Sequence, residues 1–143
     1  MNIQYLSSDL EKQAMYQLRN QVFVVEQQVD PAIEIDAYDQ QHPDIYYLGA
    51  FINQQLVGTI RIRQTENAWI LQRLAVKKEL RKQRLGSKLI DFCIVAAKNK
   101  NIKEIRLHSQ IQVLDFYLKL GFEAQGEIFE EAKILHQEVI YSL

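Results

Sequence analysis

Cysteine is nearly absent from the sequence, and Cys93 is the single thiol in 143 residues. One thiol excludes an internal disulfide and a cysteine-rich zinc site, and it fits a reducing compartment. The three histidines are widely spaced and show no His-x3-His pattern, so the sequence predicts no metal site. Cys93 falls on the apolar side of a predicted helix, which favours a small core residue over a nucleophile that carries an acyl group.

Proline and glycine are also scarce, with two and five residues. Disordered segments are poor in apolar residues, whereas 48% of this chain is apolar. The chain shows no repeat and no shift in composition along its length. We therefore expect residues 1–143 to form a single domain.

The chain has no large excess of either charge and no long apolar run. A formal net charge of −1 argues against a nucleic-acid partner. No apolar run approaches the ~20 residues that span a bilayer, so no membrane partner is expected. The segment Met1–Tyr5 lacks a basic region followed by an apolar one, which predicts no signal peptide and a cytoplasmic location.

The spacing of apolar residues predicts a mixed α/β fold. Ser8 and Glu11 have the spacing of a capping box at the start of a helix that runs to about Glu26. An acidic loop follows over Gln27–Pro43, and the short polar turn Asn53–Gln55 predicts a hairpin. The other predicted helices are Gly86–Lys100 and Gln112–Leu120, and the predicted strands are Asn2–Leu6, Tyr46–Ile52, Leu56–Arg63, Trp69–Val76, Ile102–His108 and Ile134–Tyr141. The resulting order is β-α-β-β-β-α-β-α-β, with a further extended segment beginning at Phe122.

The most informative stretch is Leu71–Leu89, which reads LQRLAVKKELRKQRLGSKL. A strand leads through a basic loop into a helix at Gly86–Ser87. The N-terminus of a helix offers unpaired N–H groups and a partial positive charge, and glycine allows a ligand to approach closely. The loop therefore fits a pyrophosphate, although a basic loop before a capped helix also occurs without any ligand. Neither a Walker loop nor a Gly-x-Gly-x-x-Gly fingerprint is present.

The chain resembles the GNAT superfamily of N-acetyltransferases at this point. Its loop from Arg81 to Gly86 is similar to the family's Gln/Arg-x-x-Gly-x-Gly/Ala motif, with Arg84 at the middle glycine. Phe116–Phe122 resembles the family's Phe-Tyr-x-x-x-Gly-Phe segment. The resemblance implies a mostly antiparallel twisted sheet flanked by helices and acetyl-CoA as co-substrate, without a metal. The residues that it assigns to CoA are Leu74, Ala75, Val76, Arg81, Lys82, Gln83, Arg84, Leu85, Gly86 and Ser87.

Within the superfamily the chain looks closest to the ElaA/YjcF-like group. The similarity extends over nearly the whole sequence and consists of short segments that are specific only in combination. These segments are Arg19–Gln27, Glu34–Asp36 with Asp39, Leu107–Gln110, and Gly126–Phe129 with Ile134 and His136.

Tyr117 is the candidate general acid. The resemblance implies that its hydroxyl lies near the CoA sulfur, and tyrosine is protonated at neutral pH. A tyrosine that only packs its ring in the core is the alternative. The predicted strand before the loop carries no carboxylate, so the general base must lie elsewhere or be water. The candidates are Glu26, Glu34, Asp36, His108, Glu127 and His136. We favour His108 because it ends a strand at the expected cleft and has a suitable intrinsic pKa range. A histidine that is only hydrogen-bonded in the sheet is the alternative.

Three residues are candidates for contact with the acceptor. Glu34 and Asp36 lie in the acidic loop and could attract a cationic amine, although solvated loop carboxylates are the commoner case. Arg73 stands on an otherwise apolar strand and could pair with a substrate carboxylate or with Asp36.

The sequence thus predicts an enzyme that moves an acetyl group from acetyl-CoA to an amine by direct attack. The acceptor class stays open among small amines, peptides and protein lysines, and a homodimer is compatible with the sequence. A non-catalytic CoA-binding regulatory or interaction module with the same fold is the alternative, favoured by Arg84 at the loop glycine and by the missing strand carboxylate.

Overall fold

The computed structural model describes residues 1–143 and has one sheet of seven strands with helices on both faces. The strands are β1 (Asn2–Tyr5), β2 (Ile45–Ile52), β3 (Gln55–Gln64), β4 (Ala68–Val76), β5 (Glu104–Gln110), β6 (Glu123–Glu131) and β7 (Ile134–Ser142). The α-helices are α1 (Asp9–Arg19), α2 (Pro31–Glu34), α3 (Leu85–Asn99) and α4 (Leu114–Lys119). A π-helix covers Asn20–Glu26, and 3-10 turns cover Ala37–Asp39, Lys78–Gln83 and Ile111–Val113.

The strand order across the sheet is β1-β2-β3-β4-β5-β7-β6. Every neighbouring pair is antiparallel except β4 and β5, which are parallel. Asn53 and Gln54 join β2 to β3, and both have positive φ, 50° and 66°. Two such residues match the twist of the flanking strands, so they form the predicted hairpin turn. This mixed, mostly antiparallel sheet confirms the fold class.

Helices α1 and α3 lie on opposite faces of the sheet. Helix α3 buries Leu89, Ile90 and Cys93 in the main core, against residues such as Ile60 and Trp69. Helix α1 buries Met15 and Leu18 on the other face. Each fully buried apolar side chain stabilises the fold by roughly 1.5–3 kcal/mol, so these two stripes hold the helices on the sheet.

The start of α1 confirms the predicted capping box. The Glu11 N–H donates to Ser8 Oγ at 3.1 Å, and the Ser8 N–H donates to Glu11 Oε1 at 3.0 Å. The helix does not stay α-helical to Glu26 as expected, because its last seven residues form the π-helix. The Gln27 N–H accordingly reaches back five residues to the Val22 carbonyl at 3.2 Å.

The extended segment expected from Phe122 is strand β6, which adds a seventh strand to the predicted order. Its residues are exposed except for half-buried Phe129, and its sequence EAQGEIFEE has no clean alternation of apolar residues. It forms the edge of the sheet and pairs only with β7, so backbone pairing rather than burial keeps it extended. No helix in the structure has the length and apolar character needed to cross a bilayer.

Candidate active site

The sheet opens into a gap between β4 and β5. Their parallel pairing runs only from Ala68 opposite Glu104 to Leu71 opposite Leu107. Beyond this point β4 stays paired with β3 up to Val76, and β5 stays paired with β7 up to Gln110. Alternate N–H and C=O groups of the last β4 residues therefore face the gap without a partner strand, and they are free to pair with an extended ligand.

A β-bulge at Arg73 shapes the β4 side of the gap. Thr59 pairs with Ala75 and Arg61 pairs with Gln72, so two β4 residues stand opposite Ile60 alone. Arg73 has a φ of 59°, the left-handed conformation found at such bulges. The bulge bends the strand at the point where the gap begins.

The basic loop keeps the backbone shape of a glycine turn although Arg84 replaces the glycine. Arg84 has φ 63° and ψ 22° and precedes the first residue of α3. The Lys88 N–H donates to the Arg84 carbonyl at 3.1 Å, so the N–H groups of Leu85, Gly86 and Ser87 precede the helical ladder. This conformation turns the backbone, while the Arg84 side chain is exposed to solvent.

Three segments that the resemblance assigns to CoA binding and catalysis meet at Gly86. A Cβ placed on this glycine would lie 3.4 Å from Phe116 Cζ and 3.9 Å from Leu74 Cδ2. The start of α3, the end of β4 and helix α4 are therefore in mutual contact. This convergence joins stretches that are up to 42 residues apart in the sequence.

Tyr117 follows Phe116 in α4 and has only 7% of its surface exposed. Its ring makes edge contacts with Phe116 and Phe122, at centroid distances of 4.9 and 5.8 Å. Burial raises the pKa of the Tyr117 hydroxyl, so it is protonated at neutral pH. The Tyr117 hydroxyl makes no hydrogen bond within the chain. It is not fully buried, however, because Arg63 Nε is the only buried side-chain polar atom without a hydrogen-bond partner. The Tyr117 oxygen is therefore accessible at the protein surface.

Arg81 ties the basic loop to its surroundings. Its Nη2 lies 2.6 Å from Glu26 Oε2, and its Nε donates to the Val76 carbonyl at 3.1 Å. Glu26, one of the candidate bases, is thereby engaged in an ion pair. The side chains of Lys82, Gln83 and Arg84 remain exposed on the same turn.

The acidic segment is folded over β3 and β4 by arginines, contrary to the picture of a solvated loop. Glu34 is 3% exposed, and its Oε1 accepts from Arg19 Nε at 2.6 Å. Glu34 therefore has no free carboxylate to offer an amine, which corrects the expectation from the sequence. Arg19 also binds Asp39 at 2.7 Å.

Asp36 and Arg73 belong to the same network. The two carboxylate oxygens of Asp36 accept from Arg61 at 2.7 and 2.9 Å, and Arg73 Nη2 lies 3.2 Å from Asp36 Oδ2. Burial alone would raise the pKa of Asp36, but its hydrogen bonds with Arg61 and the charges of Arg61 and Arg73 hold it below its ordinary value. Of the two pairings expected for Arg73, the structure has the internal one with Asp36.

His108 lies on the opposite side of the gap, at the first β5 residue beyond the pairing with β4. Its Nδ1 is 3.0 Å from Glu131 Oε1, and its Nε2 is 3.7 Å from Glu138 Oε2. The hydrogen bond with Glu131 raises the pKa of His108 and outweighs the effect of burial. Glu131 could not be predicted from the sequence, because its contact with His108 depends on how the edge strand β6 pairs with β7.

The two remaining candidate bases differ in exposure. Glu127 is exposed on the bulged part of β6. His136 is 6% exposed, and its Nδ1 donates to the Ile134 carbonyl at 2.7 Å. The ring of Phe129 stacks on His136 at 5.9 Å and contacts the ring of His108 at 4.9 Å. His108 is therefore the candidate that combines exposure with a position at the gap.

A family model described as an acetyltransferase (GNAT) domain matches residues 6–143. The chain belongs to the GNAT acetyltransferase family. This result confirms the resemblance carried by the loop and by the Phe116–Phe122 segment. The strand gap and the turn at Arg84 are thus features of a GNAT chain.

Relatives by sequence include two Bacillus subtilis (strain 168) proteins. One bears the name of an acetyltransferase and is 32% identical over 129 residues, which cover 90% of this chain and 88% of that protein. The other is the N-acetyltransferase YjcF, 29% identical over 130 residues and 90% of both chains. A spermidine N(1)-acetyltransferase from Thermoplasma acidophilum is 36% identical over 89 residues, 60% of this chain and 55% of that protein.

Solved structures give the same picture. Escherichia coli ElaA superposes with a TM-score of 0.87 at 28% identity, covering 98% of this chain and 99% of that chain. With YjcF, it confirms the likeness to the ElaA/YjcF-like group. The PaiA N-acetyltransferase of Thermoplasma acidophilum, solved with coenzyme A, has a TM-score of 0.71 at 22% identity and covers 99% and 100% of the two chains, which shows a shared fold.

Proposed function

We propose that this GNAT chain is a single-domain N-acetyltransferase that moves an acetyl group from acetyl-CoA to an amine acceptor by direct attack. The observation that carries the proposal is the convergence at Gly86 of the end of β4, the start of α3 and the Phe116–Tyr117 segment, beside the open edge of β4. The reaction needs no metal and no redox cofactor.

The chain offers a binding element for each part of the co-substrate. The N–H groups of Leu85, Gly86 and Ser87 and the exposed cations of the loop suit the pyrophosphate. The inner edge of β4, ending at Leu74–Val76, suits the amide-containing pantetheine arm, because amides can pair with the open strand. The thioester then lies toward the bulge at Arg73, where the gap begins.

Direct attack requires three tasks of the protein. A backbone N–H of β4 near Leu74–Val76 stabilises the carbonyl oxygen as it gains negative charge. Tyr117 donates its proton to the departing thiolate. His108, or a water next to it, accepts the proton that the amine loses. Cys93 takes no part, because it is fully buried in the core and burial raises the pKa of its thiol to about 12.

Amines are the acceptor class that the related names support. One relative is named as a spermidine acetyltransferase, and the match spans 60% of this chain. Small amines and peptide amines both remain within the proposal, and the strand gap is open to solvent on the His108 side, since 44% of that side chain is exposed.

Release of free thiol from acetyl-CoA, measured with a panel of amines, tests the proposal. We expect amine-dependent thiol release that is lost in Tyr117→Phe. Calorimetry should give micromolar binding of acetyl-CoA, about −8 kcal/mol. Tight binding without turnover on any amine would favour a CoA-binding regulatory module. Absence of both binding and turnover would overturn the proposal.

A further inference from the structure

Most arginines of this chain are neutralised by carboxylates, and two are not. Five of the seven arginines lie in ion pairs, namely Arg19, Arg61, Arg73, Arg81 and Arg106. The two without an acidic partner are Arg84, in the turn proposed for the pyrophosphate, and Arg63, at the end of β3. Nothing in the proposed mechanism uses Arg63.

The guanidinium of Arg63 is held in place without an acceptor. Its Cζ lies 4.8 Å from the centre of the Tyr38 ring, which is a cation–π contact. Arg63 Nε is buried and has no hydrogen-bond partner. Buried donors without partners are rare in native proteins, so this one points to a group that is bound in the working state.

Arg63 and His108 stand on the same face of the sheet. Arg63 pairs with Ile70 of β4, and Ile70 pairs with Arg106 of β5, two residues before His108. Only β4 lies between β3 and β5, so these two strands are two strand spacings, or about 10 Å, apart. The charge of Arg63 also lowers the pKa of His108, in opposition to Glu131.

The carboxylates that contact Arg61, Arg106 or His108 are engaged in ion pairs, whereas Glu123, on the edge strand β6, has none. Asp36 binds Arg61, Glu131 binds His108, and Glu138 lies 3.0 Å from Arg106. On the acceptor side, the unneutralised guanidinium of Arg63 therefore lies across β4 from His108, whose neighbouring carboxylates are already paired. Such a surface complements an anionic group more than a polycation.

We propose that Arg63 binds a carboxylate of the acceptor, so that the preferred acceptors are amino acids or related amino-carboxylates rather than polyamines. The planar fork of a guanidinium matches a carboxylate, and its Nε–H and one Nη–H form an edge that can donate two parallel hydrogen bonds to the two carboxylate oxygens. The amine of the same molecule then reaches the gap beside His108. This inference rests on the proposed function.

Matched pairs of acceptors that differ only by the carboxylate test the inference. Lysine and cadaverine, arginine and agmatine, and tyrosine and tyramine are compared by kcat/KM. We expect the carboxylate member to be preferred by about 10–100-fold, the size of one charge-assisted contact. Arg63→Gln should abolish the preference by raising the KM of the carboxylate member, while Arg63→Lys should keep part of it. Arg84→Gln, the control, should weaken acetyl-CoA binding and leave the preference unchanged.

A second measurement does not depend on turnover. N-acetylglycine, which has a carboxylate and no free amine, is titrated while the arginine Nε–H signals are followed by NMR. One signal, absent from Arg63→Gln, should shift. A shift without acetylation of any amine would leave the carboxylate site standing and overturn the proposed function. Equal use of both members of each pair, or no shift, would overturn the inference while the acetyltransferase activity remained.

Discussion

Arg19 Nε donates to Glu34 Oε1 at 2.6 Å, and the two side chains are 1% and 4% exposed. Breaking a buried ion pair by removing one charge leaves the other charge uncompensated. We therefore expect Glu34→Gln to lower the free energy of unfolding by roughly 3 kcal/mol, at the lower end for such pairs because Asp39 still neutralises Arg19. Denaturant unfolding measures this loss.

Glu26→Gln is the matched control for Glu34. Its partner, Arg81, is 41% exposed, so the change should cost about 1 kcal/mol or less. If Glu34→Gln instead left stability intact and raised the acceptor KM alone, Glu34 would be a substrate contact and its structural role would be refuted.

Removal of the Tyr117 hydroxyl should separate catalysis from packing. Tyr117→Phe keeps the ring contacts with Phe116 and Phe122, so stability should change little. If the hydroxyl protonates the thiolate, kcat should fall by about 10²–10⁴-fold with a nearly constant dissociation constant for acetyl-CoA. Tyr141→Phe, in the same aromatic cluster at 5.3 Å from Phe122, should leave kcat unchanged. If Tyr117→Phe and Tyr141→Phe lost kcat equally, Tyr117 would be a packing residue.

Gly86 offers a graded test of the proposed pyrophosphate site. The Cβ of alanine would sit at 3.4 Å from Phe116, an ordinary contact, so Gly86→Ala should fold and bind acetyl-CoA. The branched side chain of valine would push into Phe116 and Leu74, with an overpacking cost of roughly 1–3 kcal/mol. We expect Gly86→Val to weaken acetyl-CoA binding tenfold or more in calorimetry, with circular dichroism as the check on folding. Unchanged affinity in Gly86→Val would place the pyrophosphate elsewhere.

The pair of His108 and Glu131 predicts a pH dependence with a definite sign. The pKa of His108 is raised from 6.5, so its contribution to stability is complete below that value and is lost as the pH rises through the folded pKa. The pKa of Glu131 is lowered from 4.5 by the same hydrogen bond, so its contribution is complete above that value and is lost as the pH falls through the folded pKa. The pair should therefore stabilise the fold most between these values.

Glu131→Gln should lower the pKa of His108, as an NMR titration of the ring would measure. If His108 is the base, activity rises as the pH rises through the pKa of His108. This rising limb of the pH–activity profile should move to lower pH in Glu131→Gln. A limb that stays in place would assign the proton transfer to another group or to water.

Cys93 should be inert in the native protein. It is fully buried, and burial raises the pKa of its thiol to about 12. Iodoacetamide at pH 8 should therefore neither modify Cys93 nor reduce activity, whereas modification in urea should be complete by mass spectrometry. Rapid alkylation of the native protein would contradict the burial.

Much of the fold follows from local sequence patterns. The largely apolar runs of β2 and β3, the turn at Asn53–Gln54 and the capping box at Ser8 all act within a few residues, so the sequence predicts them directly. Strand β6 was predicted only as an extended segment beginning at Phe122, because an exposed edge strand needs no apolar alternation. The π-helix at Asn20–Glu26 continues α1 directly, and no sequence pattern distinguished it from an α-helix.

The parts of the candidate site that form a contiguous motif could be predicted from the sequence. The parts that are assembled from residues distant in the chain could not. The turn before Gly86 and the Phe116–Tyr117 segment were visible as short strings. The arginine partners of Glu34 and Asp36 lie 15 to 39 residues away in the chain, so the sequence could not show that arginines neutralise them. Likewise, the sequence could not show that Arg63 lacks a carboxylate partner, because the ion pairs of the other β-strand arginines join residues that are distant in the chain.

The left-handed backbone at Arg84 has a consequence for how this loop is recognised in other sequences. An L-residue in this conformation costs about 1 kcal/mol, an amount that a folded chain tolerates easily. The turn in this chain is then defined by a pair of dihedral angles rather than by glycine. A search that demands glycine at this position would not match this loop, whereas a search on backbone geometry would match it.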